Sequence, residues 1–315
     1  MKTIFAMLLT TCLAPSLLQA QSAPEQQFAS SDEAIKALRT AAENKDTNAL
    51  GTIFGPTLRL VHSPDPVQMS NGLASFSRRM SEKVYPVAKS DSKIELDIGS
   101  DGWPFPIPLV KQDGQWHFDT EAGEQEILNR RVGRDELGTI RVCHAYVEAQ
   151  REYASVDRAG DGIIQYAQHL RSTQGTHDGL YWHVEPGEEM SPLGPLVAQA
   201  HGEGYVHQSK IMTDEQVPYQ GYYFKVLTRQ GARAPGGKYN YIINGHMVAG
   251  FGLVAWPAEW GNSGVMTFIV NQEGKVYEAN LGPKTTALAA RMLSYDPDSK
   301  WKPVEENYGY TARTP

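Results

Sequence analysis

The stretch 221–282 constrains this chain more than any other. It reads GYYFKVLTRQG, then GFGLVAWPAEWG, then SGVMTFIVNQEGKVYEANLG. Runs rich in Tyr, Phe, Val, Ile and Trp suit a pleated, half-buried surface. Gly, Pro and Asn bound each run, so the pattern predicts consecutive antiparallel strands. Residues 265–270 are almost continuously apolar, as a strand covered on both faces must be. Asn271-Gln272-Glu273-Gly274 supplies a hairpin turn, with Gly where a left-handed backbone is favoured. Residues 275–279 alternate polar and apolar, which predicts a strand with one wet face. Such a sheet needs a second layer, and a helix over 136–154 supplies it. Leu137, Ile140, Cys143 and Val147 form one apolar stripe there, and Val142, Tyr146, Ala149 and Tyr153 form another.

The first half is patterned differently. Residues 30–44 predict a helix: Ser30 with Glu33 matches a capping box, and Ile35, Leu38, Ala41 and Ala42 share a face. Asp46 or Thr47 caps a second, short helix through Phe54, ended by Gly55-Pro56. A third helix is expected over 73–84, with Phe76 and Met80 on one side, and a strand over 93–98. Residues 107–110 and 115–118 flank Asp113-Gly114, a hairpin signal. Residues 121–134 are charged, hold Arg130-Arg131 and two glycines, and read as a connector. The expected fold class is therefore α+β: an N-terminal domain of helices and hairpins at 30–130, then a helix-backed antiparallel sheet at 135–294. Further helices are expected near 193–200 and 285–293, and a polar tail at 295–315. A chain of 315 residues is long enough for two domains.

Residues 1–20 read as a secretory signal: Lys2, an apolar run from Ile4 to Leu13 too short to span a bilayer, then Leu18-Gln19-Ala20 before Gln21. Cleavage after Ala20, a polar, disordered leader at 21–29 and a periplasmic or secreted location are expected. Losing Lys2 takes the net charge from −7 to −8. With no Lys/Arg block, nucleic acid and anionic membrane surfaces are poor partners, and no later stretch reads as a transmembrane helix. Removing Cys12 with the signal leaves Cys143 alone, which excludes a disulfide framework and a Cys-rich metal site.

Several stretches carry a family likeness. Phe118-Asp119-Thr120-Glu121-Ala122-Gly123, Ala149-Gln150-Arg151-Glu152-Tyr153-Ala154, Asp178-Gly179-Leu180-Tyr181-Trp182, Ser191-Pro192-Leu193-Gly194-Pro195 and Gly221-Tyr222-Tyr223-Phe224 together resemble an uncharacterised family of exported bacterial proteins, catalogued as a domain of unknown function. The resemblance implies export and supplies no catalytic residues. The helix order of the first half resembles the cone-shaped nuclear-transport-factor-like fold, whose interior can hold a small apolar ligand. The second half is fainter in its likeness: the helix ending at Ala154, the Gly-Tyr-Tyr-Phe strand and Ala255-Trp256-Pro257 are similar in order to type IV pilin and pseudopilin heads, without the apolar stalk helix.

Motifs for catalysis are weak. Cys143 and His144 are helix neighbours whose side chains diverge by about 100°, so they do not form a nucleophile–base pair. His177 and His183, and His201 and His207, are spaced six apart, with His246 alone, and none matches a zinc spacing. Asp157, Asp161 and Asp178 sit in Gly-containing loops without an EF-hand pattern. The Gly-rich segment 230–237 lacks the lysine–hydroxyl pair of a phosphate loop, and Ser191 and Ser263 lack a G-x-S-x-G elbow. No cofactor is expected. Aromatic residues are the best pointer. Core packing is the ordinary reading of them, and an aromatic surface the functional one, with Tyr181, Trp182, Tyr222, Trp256 and Trp260 as candidate ligand-binding residues. The expectation is an exported, non-catalytic binding or envelope-associated module whose partner is a cell-wall glycan or an envelope protein. The alternative is a periplasmic hydrolase using carboxylates such as Glu121, Glu124, Asp161 and Glu188.

Overall fold

The computed structural model describes residues 25–56, 62–185, 187–205 and 217–305. The expected signal sequence and most of the leader lie outside them. The fold is α+β, built as two bodies joined by one long helix.

The first body opens with α1 (Ser31–Glu43), whose cap Ser30 accepts from the Glu33 amide. Glu33 reaches back to the Ala29 amide at 3.1 Å, a shift of one residue from the reciprocal capping box. α2 (Thr47–Phe54) starts at Asp46, whose carboxylate takes the Asn48 and Ala49 amides. α3 (Pro66–Glu82) begins seven residues earlier than the apolar pattern predicts, because Asp65 caps it and Pro66 fits its first turn. Five strands follow: β1 (Val84–Ser90), β2 (Lys93–Ile98), β3 (Trp103–Pro104), β4 (Leu109–Gln112) and β5 (Gln115–Phe118), with order β1-β2-β4-β5 and β3 on β2. β1 has no apolar pattern to mark it, because it fully buries no residue. It is an edge strand, blunted by Pro86 and a bulge near Ala88. Asp113 and Gly114 turn the β4–β5 hairpin with positive φ, as expected. Phe28 of the leader pairs with Trp116 through two 2.8 Å backbone bonds and is buried. Leu38, Phe54, Met80, Leu96, Leu109 and Phe118 fill the interior. An open groove of about 380 Å³ lies outside this core, against α1 and α2, and is lined by Glu33, Lys36, Asp46 and Ile53 among others.

The charged stretch 121–134 is helix, not connector. α4 (Thr120–Tyr153) runs without interruption for 34 residues, about 50 Å at 1.5 Å per residue. Asp119 caps it through the Ala122 amide. Its glycines do not break it, and Gly123 is a site of close approach: a Cβ there would come within 2.6 Å of the Ile107 side chain.

The second body comprises β6 (His169–Arg171), β7 (Gly179–Tyr181), α5 (Gly194–Gly202), β8 (Tyr222–Leu227), β9 (Arg229–Gln230), β10 (Tyr239–Asn240), β11 (Ile242–Ile243), β12 (His246–Met247), β13 (Gly252–Pro257), β14 (Thr267–Asn271), β15 (Tyr277–Ala279), α6 (Thr285–Ala290), β16 (Ser294–Tyr295) and β17 (Lys302–Pro303). Its main sheet has the order β17-β15-β14-β13-β8 and is antiparallel throughout. α4 covers one face, where Cys143, Tyr146, Tyr222, Leu253, Phe268 and Val270 pack. α6 and β16 lie against the other, where Val254, Trp256, Ile269, Ala289 and Tyr295 pack. β13 and β14 are thus buried at every residue, which is why their sequences are unbroken apolar runs. The segment read as a polar tail begins with a buried residue: Tyr295 pairs in parallel with β9, and β17 adds the last strand.

Candidate functional site

The five aromatic residues singled out from the sequence do not share a surface. Tyr222 is fully buried: its ring lies in the α4-side core and its hydroxyl donates to the Met266 carbonyl at 2.9 Å. Trp256 is 1 % exposed and belongs to the opposite core. The two sit on paired strands with adjacent register, Trp256 opposite Tyr223 and Pro257 opposite Tyr222, so the pleat sends them to opposite, covered faces. Trp256 lies inside β13 beneath α6, so no loop presents it. Both therefore leave the candidate surface. Trp260 follows β13, is half-buried, and donates its ring N–H to Asn280 Oδ1 at 3.0 Å.

Tyr181 and Trp182 remain at the surface, both half-buried, where β7 ends. The exposed His177 ring stacks on Trp182 at 4.4 Å between centroids. The Arg158 guanidinium lies over the same indole at 5.7 Å, and Arg171 over Tyr181 at 5.6 Å. Arg158 is held in place by burial: its side chain is 9 % exposed, and Glu152 and Glu189 approach it at 3.9 and 3.8 Å. Tyr153, in the last turn of α4, donates to the His177 carbonyl and ties this stack to the helix. The exposed apolar side chains Val156 and Met190 come from the segments carrying Arg158 and Glu189. Beside them, the Tyr166 amide bonds to the Met247 carbonyl, and Asp161 Oδ2 lies 3.5 Å from His246 Nδ1. Around that junction Ile164, Ile243 and Val248 are exposed. These loops build one end of the second body, at the C-terminus of α4.

The carboxylates considered for hydrolysis fall into two separate groups. Glu121 and Glu124 lie at the first turns of α4, and Asp161 and Glu188 in loops beyond its last turn, roughly 45 Å away along the helix. Asp157 spends its oxygens on the Gly160 and Gly162 amides, which hold its carboxyl below the usual range. Asp178 bonds Thr173 and Thr176. Among the described residues no group of three His, Cys, Asp or Glu side chains is placed to hold a metal ion. His201 ends α5, exposed, and His207 lies outside the described residues. Cys143 is fully buried, and burial pushes its thiol up to about 12, so no thiolate forms near neutrality. Ser191 and Ser263 are buried, and Ser263 receives the Glu259 amide. Gln230, buried, closes the 230–237 loop by donating to the Pro235 and Gly237 carbonyls.

Sequence reasoning missed a second polar cluster, between the bodies. Asp65 is fully buried. Its Oδ1 caps α3 through the Val67 and Gln68 amides, and its Oδ2 accepts from the Tyr205 hydroxyl at 2.6 Å and the Gly221 amide at 3.2 Å. Asp135 of α4 is 1 % exposed; Oδ1 accepts from Gln68 Nε2 at 2.9 Å and Arg134 Nε at 3.1 Å, while Oδ2 has no partner. Burial raises its carboxyl to about 6, against the opposing pull of Arg134, Gln68 and Arg131. Asn71 donates to the Glu203 carbonyl and Asn262 to the His62 carbonyl, while Arg131 reaches Asn262. Asp65-Pro66 was legible as a cap followed by a first-turn proline. Asp135 carries no local signal, since Gln68 and Gly221 are distant in sequence.

No curated protein and no solved structure matches the chain, so the likeness of its second half to pilin heads rests on sequence order alone. Among the described residues no helix is long and apolar enough to cross a membrane. A family model does match, over residues 25–304, and the chain belongs to the family described as a protein of unknown function, DUF2950.

Proposed function

We propose that this protein is an exported, non-catalytic binding module of the bacterial envelope, and that it binds through the loops at the C-terminal end of α4. One observation carries the reading. Nine large apolar side chains are exposed among the described residues, and five of them come from the segments at this end of the second body: Val156 and Met190 from the loops carrying Arg158 and Glu189, and Ile164, Ile243 and Val248 from beside the Asp161–His246 and Tyr166–Met247 contacts. Gathered apolar surface beside an aromatic anchor is the usual composition of a recognition surface. The stack is preorganised: Arg158 is nearly buried under Trp182 and Tyr153 fixes the His177 backbone, so little ordering entropy is lost on binding. Export is supported by the signal pattern of residues 1–20.

The test is co-sedimentation of the mature protein with isolated cell envelopes. The wild type pellets with them, and Trp182→Ala and the milder, exposed His177→Ala each lose at least about tenfold in apparent affinity, a loss of about 1.4 kcal/mol. Equal pelleting of the wild type and both folded variants would sink this site.

A further inference from the structure

We infer that the occupant of this loop face is a basic segment of another protein, carrying at least one large apolar side chain among its Lys and Arg residues. The inference rests on the binding reading above and names its partner. Charge selects the partner. Residues 152–190 hold seven carboxylates and two arginines. Both arginines are already engaged: Arg158 sits between Trp182, Glu152 and Glu189, and Arg171 lies over Tyr181. Six of the seven carboxylates are exposed, with only Asp178 half-buried and bonded to Thr173 and Thr176. Glu189 and Glu185 keep 81 % and 75 % of their side-chain area exposed, and Glu188 is exposed beside them. Asp157 stays charged because its own loop amides stabilise the anion. An acidic rim around an apolar centre attracts cations and repels anionic ligands.

The centre suits side chains rather than sugar hydroxyls. Met190 is unbranched and adaptable, and Val156 offers no hydrogen bond. The exposed outer face of the His177–Trp182 stack accepts a planar guanidinium or an aromatic ring. A partner that is apolar and basic at once satisfies both the centre and the rim.

The probe is a fluorescently labelled 12-residue peptide of Lys, Arg, Leu and Trp, titrated against the mature protein by anisotropy, beside the same peptide with Glu in place of Lys and Arg. The basic peptide binds and the acidic one does not. A triple variant, Glu185→Gln, Glu188→Gln and Glu189→Gln, weakens binding about tenfold, as three exposed ion pairs allow. A control triple on the first body, Asp32→Asn, Glu43→Gln and Asp91→Asn, removes the same charge and changes binding less than about twofold. Raising salt weakens the wild-type complex more than that of the first variant. Equal weakening by the two triples would mean attraction to net charge only and would overturn the inference, as would binding of the acidic peptide. Displacement of the protein from envelopes by soluble wall fragments and not by the basic peptide would also overturn it, and would leave the binding reading standing with a glycan as its ligand.

Discussion

Asp135 shows how one side chain couples proton concentration to the union of the two bodies. Its carboxyl is raised to about 6 from an ordinary 3.8 because burial penalises the anion more than Arg134, Gln68 and Arg131 favour it. A raised acid makes folding more favourable when it is protonated. The gain is complete below about pH 4 and is lost as pH rises through about 6, so stability falls across that window and is flat above it. A shift of about two units amounts to roughly 2–3 kcal/mol. Glu278, also raised by burial, acts in the same direction, while Asp157, Asp178 and Asp296 are lowered and reduce stability only at more acid pH. The midpoint of thermal unfolding should therefore rise between pH 7 and pH 5, and Asp135→Asn should remove most of that rise. An unchanged slope in the variant would assign the effect elsewhere. Gly221 stands beside the same carboxylate with φ +78°, and a Cβ there would meet Asp135 Oδ2 at 2.7 Å and the Ser263 Cβ at 2.9 Å. Glycine is required at this position for both backbone and space.

At the scale of elements, α4 decides the architecture. A charged, glycine-bearing stretch looks like a linker because helix propensity counts each glycine against the helix. The structure turns two of those glycines to opposite uses. Gly123 lies against Ile107, where a Cβ would come within 2.9 Å of backbone, and Gly133 has nothing within 4 Å. Gly133→Ala should raise stability by about 0.5–1 kcal/mol, the usual gain in a helix interior. Gly123→Ala should lower it, by about 1–3 kcal/mol of overpacking. Chemical denaturation of the two variants checks the pair, and a gain for both would contradict the close packing of α4 on the first body. The strands were easier to read. β14 and its turn, β2 and β5 follow from apolar runs and the turn residues Asn271–Gly274 and Asp113-Gly114, because their burial is decided by neighbours close in sequence. β1 is not legible in the pattern, because an edge strand with only Val84 and Val87 half-buried and nothing fully buried has no period-two alternation to detect.

On the scale of the whole molecule, the two bodies are joined by α4 and by a seam that is mainly polar. Val67 packs with Tyr205 and Tyr219 there, and Asp65 accepts two of the hydrogen bonds, beside those of Gln68 to Asp135, Asn71 to Glu203 and Asn262 to His62. Asp65→Ala removes a helix cap, about 1 kcal/mol, and leaves the Tyr205 hydroxyl and Gly221 amide without their acceptor, about 1–3 kcal/mol more. The variant should unfold at lower denaturant and be cut faster by protease near the seam; equal protease resistance would show that α4 alone fixes the arrangement. The loop face and the seam are separate, so Asp65→Ala variants that remain folded should keep the peptide affinity of the wild type.

The sequence by itself determined the α+β class, the capped helices α1 and α2, the hairpins around Asp113-Gly114 and Asn271–Gly274, and a buried, inert Cys143. Those depend on backbone preferences and on short-range periodicity, which are written locally. It also marked Tyr181 and Trp182, but no more strongly than Tyr222 and Trp256. Only tertiary structure separated them, because exposure of an aromatic ring depends on which layer covers its face, and α4 and α6 come from opposite ends of the second half. The Asp65 and Asp135 seam was likewise decided in three dimensions: a buried carboxylate is defined by donors that approach it from elsewhere in the chain.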